Sequence, residues 1–222
     1  RDIPVCIDWT HYPDWDELNR QIIHNQQHSL SALPIMAAGI PELYELRHSF
    51  NPANVNDCIG LTHEGGIKDI EKILAAAHQA KATWRSSTAS RRAKILERCA
   101  DLILEHRALL ISLLVREAGK TLVNAQQEWR EAIDFCRYYA AQARTNWPQD
   151  TPKPLGLVIA ISPWNFPLAI FVGQIAAALA AGNVVIAKPA AETPLCAYWA
   201  TKLFLEAGIP RDALQFIPGS AA

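Results

Sequence analysis

The sequence predicts an α/β fold in which an N-terminal helical region precedes the opening β-α-β-α-β portion of a doubly wound parallel sheet. Three observations carry this. Between Ile67 and Arg144 apolar residues recur every three or four positions, the period of helices with one buried face. After Pro148, Pro152 and Pro154 the pattern changes to short, continuously apolar runs alternating with helical segments. Such runs are strands buried on both faces and joined by right-handed crossovers. Finally, 222 residues of which 50% are hydrophobic supply a sizeable core, sufficient for one large domain or one domain with an appended piece.

The elements follow in order. Residues 1–48 read as a connector or wrapping segment, with an aromatic-polar cluster from Trp9 to Trp15, breaks at Pro34 and Pro41, and only short helical patterns between. His24 and His28 share a helix face there, but no Cys or Glu completes a ligand set, so no metal site is expected. Residues 49–222 read as a single unit. One helical stripe runs through Ile67, Ile70, Ile73, Leu74 and Ala77, and a second through Ile95, Leu96, Cys99, Leu102 and Ile103. A nearly continuous apolar stretch, Leu109 to Val115, ends at Gly119 as its C-cap, and a fourth helix runs from about Leu122 to Arg144. Then come a buried strand at Leu157–Ile161, a small-residue helix at Leu168–Ala181, a strand at Asn183–Ala187, a helix at Pro194–Ala207 and a third strand at Leu214–Ile217. Three parallel strands alone would leave an apolar edge, so the chain is expected to be the opening portion of a larger nucleotide-binding domain.

Composition excludes several function classes. The 21 basic residues balance 22 acidic ones, giving a net charge of -1, which argues against a nucleic-acid binder and against a disordered or acidic-tail protein. The cysteines, Cys6, Cys58, Cys99, Cys136 and Cys196, are odd in number and widely spaced, pointing to a reduced, cytoplasmic setting. No membrane span is expected, because the longest apolar stretch, Leu168 to Ala181, is shorter than the roughly 20 residues required and contains Gly173 and Gln174. The chain opens at Arg1, has Met36 as its only methionine and carries no leader pattern, so an internal start is expected.

Two segments carry the chemistry. Ile161-Ser162-Pro163-Trp164-Asn165-Phe166-Pro167 lies at the carboxyl end of the first parallel strand, where open α/β sheets bind ligands. Pro163 and Pro167 fix the backbone around Trp164 and Asn165. An amide so held can donate to a developing oxyanion; equally, Asn165 can cap the helix that follows. The second segment, Ala187 to Pro194, ends the next strand. Lys188 there would direct an ammonium into the same crevice, and Thr193-Pro194 offers an N-cap followed by proline at the first helical position. Neither a G-x-G-x-x-G fingerprint nor a P-loop occurs.

The runs Ser162–Pro167 and Ala187–Pro194 together resemble the aldehyde dehydrogenase superfamily. Val115–Thr121, Glu128–Ala140 and Phe171–Asn183 further resemble the aldehyde dehydrogenase unit of the bifunctional proline utilization A family, over about residues 49–222. The resemblance implies a truncated aldehyde dehydrogenase fold with a Rossmann-like NAD-binding domain. It implies oxidation of L-glutamate γ-semialdehyde to L-glutamate in proline catabolism, with a thiolate attacking the aldehyde and Asn165 holding the oxyanion. Ile161, Ser162, Pro163 and Trp164 would line the nicotinamide-ribose side of NAD, and Lys188 would bind the adenosine ribose. FAD would belong only to an upstream proline dehydrogenase unit, and the small-molecule aldehyde and NAD would be the partners, in a homo-oligomer.

This chain departs from the family pattern in two ways. The family usually shows a glutamate where Ala191 stands, binding the ribose 2′-hydroxyl; Glu192 follows one place later and is the candidate substitute. The family's nucleophilic cysteine, general-base glutamate and G-x-T-x-x-G segment fall beyond Ala222, so this chain alone is expected to be inactive. Cys99, Cys136 and Cys196 read as buried structural thiols, and Glu117 and Glu128 as helix-surface or packing residues. The alternative is a non-catalytic chain that keeps a cofactor- or partner-binding surface.

Overall fold

The computed structural model describes residues 12–26, 29–37, 41, 43–145 and 153–220. Helix α1 (Tyr12–Gln26) and strand β1 (Leu30–Ala32) precede a hairpin of β2 (Leu43–Asn51) and β3 (Asn54–Gly65). Four helices follow, α2 (Ile67–Ser86), α3 (Ala89–Glu105), α4 (Arg107–Arg116) and α5 (Leu122–Thr145). The last part alternates β4 (Leu157–Ile161), α6 (Ala169–Ala180), β5 (Val184–Lys188), α7 (Pro194–Glu206) and β6 (Leu214–Phe216). The four helices and the β-α-β-α-β run match the periodicities that predict them, with shifts of a residue or so at the ends of the latter.

The strands form two three-stranded sheets. In one, β3 lies between β1, to which it is parallel, and β2, to which it is antiparallel. In the other, β4, β5 and β6 are adjacent and all parallel. Ile35 and Phe216 exchange both backbone hydrogen bonds, at 2.8 and 2.9 Å, and so stitch the N-terminal segment to β6. The buried Gln215 side chain extends that seam, accepting from Ala37 N and donating to Ile73 O of α2.

Strands β2 and β3 have no counterpart in the sequence reading, and polar composition is the reason. His48, Asn51, Asn54 and Asn56 dilute the apolar alternation, and the turn is made by Asn51, whose Oδ1 accepts the Ala53 amide. Register is nevertheless fixed by the few inward residues, Ile59, Thr62 and Glu64, all buried. A second correction concerns β4, expected to be buried on both faces. Ile159 and Ile161 are 56% and 64% exposed: β4 is the edge strand of its sheet, and Ile159 faces an open cavity between the sheet and α2. No described helix is long and apolar enough to cross a membrane.

The core lies where α5, α6 and α3 meet. Trp129 of α5 is fully buried and donates its indole N–H to Ile103 O of α3 at 2.9 Å, so a large apolar surface is buried without an orphaned donor. Gly173 permits the close approach of α6 to α5: a Cβ there would lie 3.0 Å from the Phe135 ring. The carboxyl end of α6 is closed by Trp84, which donates to Leu179 O at 3.2 Å, and by the buried Arg92, which donates to Ala180 O at 2.9 Å. A cation at that end also complements the helix dipole.

Candidate active site

The site is built on the carboxyl ends of β4 and β5. Ile161 pairs in register with Lys188, and Ser162 N donates to Lys188 O at 3.2 Å, so the two chemistry-bearing loops leave the sheet side by side. Ser162 is buried, whereas Trp164, Asn165 and Phe166 are exposed at the strand end. Lys188 Nζ donates to Gly219 O at 2.8 Å and to Pro189 O at 3.2 Å. Both acceptors are backbone carbonyls, which a ligand hydroxyl can replace without leaving a charge unpaired.

Beside Lys188 opens a cavity of about 810 Å³, lined by Ile159, Ile186 and Ile217 of the sheet region and by Ile67, Ile70 and Leu74 of α2. Its walls are mostly apolar, and Glu45, Glu64 and Lys188 bring charge to it. Glu64 is itself held by Arg47 at 3.0 Å and accepts from Ser220 N at 3.2 Å. Among the sequence-predicted residues Lys188 lines this cavity, while Ile161, Ser162, Pro163, Trp164 and Asn165 lie at the neighbouring strand end, and Ala191 and Glu192 in the turn before α7.

The start of each helix behind these loops is occupied by a buried carboxylate from the helical layer. Glu128 of α5 accepts from Leu168 N and Ala169 N, at 2.9 and 3.1 Å, where α6 begins. Glu117, just after α4, accepts from Leu195 N and Cys196 N, both at 2.8 Å, where α7 begins. A carboxyl oxygen accepts orphaned amides as a cap side chain would, so these are long-range equivalents of an N-cap. They settle two points left open by sequence. Glu128, rather than Asn165, caps α6. Thr193, expected to cap α7, makes no side-chain cap bond: its backbone leaves the extended N-cap geometry at ψ 49°, and its buried hydroxyl has no partner among the described residues. Glu117 has taken that role. With these amides already bonded, neither helix start is open to a diphosphate in the manner of an ordinary dinucleotide fold, in keeping with the missing glycine fingerprint.

Glu117 and Glu128 are packing residues with buried carboxylates, and the sequence did hold a signal for one of them. Glu128 shares the buried stripe of α5 with Ala125 and Ala132, and a charge there requires a partner. Lys120 supplies it, at 2.7 Å. Gly119, with φ +66°, makes the turn out of α4 from which Lys120 emerges. Burial pushes the Glu117 carboxyl up to about 8, against the opposing pull of the Cys196 and Leu195 amides. Burial likewise pushes the Cys99 thiol well up, and Cys136 to about 12. For Cys196, burial and then the Glu117 and Glu128 charges act in the same direction. Burial thus disfavours the thiolate at all three; Cys58 lies on β3, in the other sheet.

A family model described as the aldehyde dehydrogenase family matches residues 43–222. The bifunctional protein PutA of Escherichia coli (strain K12) is 43% identical over 223 residues, which cover 99% of this chain and 16% of that protein. Among solved structures, proline utilization A from Bdellovibrio bacteriovorus superimposes with a TM-score of 0.90 at 28% identity, covering 96% of this chain and 24% of that one. A 1-pyrroline-5-carboxylate dehydrogenase from Thermus with bound NAD gives a TM-score of 0.87 at 30% identity, covering 96% of this chain and 44% of that one. The chain thus spans a minor part of each of these proteins.

Proposed function

The chain belongs to the aldehyde dehydrogenase family, and on that premise we propose that it forms part of an NAD-dependent L-glutamate γ-semialdehyde dehydrogenase acting in proline catabolism. The observation that carries this reading is the pairing of the Asn165 loop with Lys188 at adjacent strand ends. Similarity to PutA and to a 1-pyrroline-5-carboxylate dehydrogenase supports the substrate.

In this reading the Asn165 amide donates to the oxyanion formed when a thiolate adds to the aldehyde, stabilising charge that exists only past the ground state. Pro163 and Pro167 restrict the loop so that little reorganisation is needed as the charge develops. The residues also fit a dinucleotide. The cavity offers apolar isoleucines to a flat ring, and Lys188 can exchange its two carbonyl partners for ribose hydroxyls. Ile161, Ser162, Pro163 and Trp164 would flank its nicotinamide end. NAD, when bound, supplies the hydride acceptor. Ala191 and Glu192 stand at the turn that would meet the 2′-position of the adenosine ribose.

Cys99, Cys136 and Cys196 are buried and Cys58 lies in the other sheet, so in this reading none of them supplies the nucleophile, and the 222-residue chain alone is inactive and adds its share of the site to a longer, homo-oligomeric enzyme. Replacing Asn165 by Ala in the full-length protein tests it. The expected result is a fall in kcat of roughly 100- to 1000-fold with NAD binding retained; an unchanged kcat would refute the oxyanion role. Formation of NADH by the 222-residue chain alone would refute its inactivity.

A further inference from the structure

Asn165 is exposed, and its side chain makes no hydrogen bond to a described residue, so its direction is set by what holds its neighbours. Two residues of the helical layer do this. Glu128, 1% exposed, accepts the Leu168 and Ala169 amides through Oε1, three and four residues after Asn165. Its Oε2 lies 2.7 Å from Lys120 Nζ. The same ammonium sits 4.2 Å from the centroid of the Phe166 ring, the residue next to Asn165. The segment is therefore gripped twice, through its backbone by Glu128 and through an adjacent side chain by Lys120.

A buried charge pair is a costly way to start a helix, since a Ser, Asp or Asn at the cap position satisfies the same amides locally. A local cap, however, would have to come from the loop itself, and Asn165 is a residue suited to it. A carboxylate delivered from α5 removes that competition and leaves the Asn165 amide free.

We propose that Glu128 and Lys120 form a positioning unit that keeps the Asn165 amide uncommitted and aimed at the reacting oxygen; this rests on the oxyanion reading of Asn165. The unit contributes preorganisation and no chemical step of its own.

A double-mutant cycle in the full-length enzyme tests it, with semialdehyde and NAD as substrates. Glu128→Gln and Lys120→Met, each alone, are expected to lower kcat about 10- to 100-fold while KM for NAD stays within about twofold. In an Asn165→Ala background the same substitutions are expected to change kcat by less than about twofold, because the amide they aim is gone. Losses that multiply in the double variants, or a rise in KM for NAD with kcat intact, overturn the proposal and make the pair a support of the fold. An Asn165→Ala enzyme with unchanged kcat sinks the oxyanion reading itself, and this inference with it. Should Glu128→Gln fail to fold, Lys120→Met, whose ammonium is nearer the surface, completes the cycle.

Discussion

Glu117 and Cys196 are joined by a 2.8 Å hydrogen bond from the Cys196 amide to a carboxylate oxygen 79 residues away in sequence, while the partner oxygen takes the Leu195 amide. Helix α7, which follows the Lys188 loop, is thereby pinned to the turn after α4. The carboxyl is pushed up to about 8 by burial, well above the roughly 4.3 of an unfolded glutamate. The folded state thus binds more protons than the unfolded state between those values, so this group's stabilising contribution is complete below about pH 4 and is lost as pH rises through 8. Glu117→Gln removes that dependence and sets an NH2 against one of the two amides. The variant should be less stable than the parent at pH 5, with a gap that narrows toward pH 9. Thermal unfolding of both proteins across that range checks this, and a gap independent of pH would refute it.

The Asp57–Arg116 pair gives the opposite sign. Arg116, nearly buried at the end of α4, donates through Nε to Asp57 Oδ2 on β3 at 3.0 Å, and Asn51 donates to the same carboxylate. The Arg116 hydrogen bond, more than its charge alone, holds the Asp57 carboxyl below its ordinary value. A lowered carboxyl stabilises at pH values above the unfolded value of about 3.9, and the contribution is lost as pH falls through the folded value. Asp57→Asn should cost about 1 kcal/mol at pH 7, with the difference shrinking below about pH 4. Urea midpoints at pH 7 and pH 3 decide it.

Gly173 sets two effects against each other. Alanine in the middle of α6 gains about 1 kcal/mol of helix propensity, but its Cβ would stand 3.0–3.2 Å from three atoms of the Phe135 ring. Overpacking of this kind costs about 1–3 kcal/mol, so Gly173→Ala should destabilise. In a Phe135→Leu background the clash is relieved and the same substitution should stabilise by the propensity gain. A Tm change of one sign in both backgrounds would show that the ring does not set the cost.

These residues also show where sequence stops being informative. The helices from Ile67 to Thr145 and the β-α-β-α-β run were legible because a buried helix face recurs every 3.6 residues and a strand of a covered parallel sheet reads as an unbroken apolar run. Lys188 and Asn165 were legible as candidates because the carboxyl ends of parallel strands are where ligands sit. The helix starts were not, since local spacing offered Thr193 and Asn165 as caps while the carboxylates came from residues 40 and 78 positions away. Strand β4 read as fully buried because an edge and a centre are distinguished by what lies beside the strand, which its own five residues do not encode. The first sheet was hidden for a related reason: three inward side chains fix its register amid polar neighbours.

Ala191 yields the last prediction, which concerns cofactor choice. It lies in the turn before α7, and the neighbouring Glu192 is exposed. A carboxylate near a ribose 2′-position accepts from its hydroxyl and repels a phosphate, so selectivity for NAD over NADP depends on where that charge is held. If Glu192 only partly substitutes for a carboxylate at 191, NAD remains preferred but by a reduced margin. Ala191→Glu in the full-length protein should then widen the ratio of kcat/KM for NAD over NADP by about tenfold, chiefly through a higher KM for NADP. Glu192→Ala should narrow it. Should Ala191→Glu leave the ratio untouched while Glu192→Ala collapses it, Glu192 already holds the charge that Ala191 lacks; should neither change matter, the turn before α7 does not meet the ribose at all.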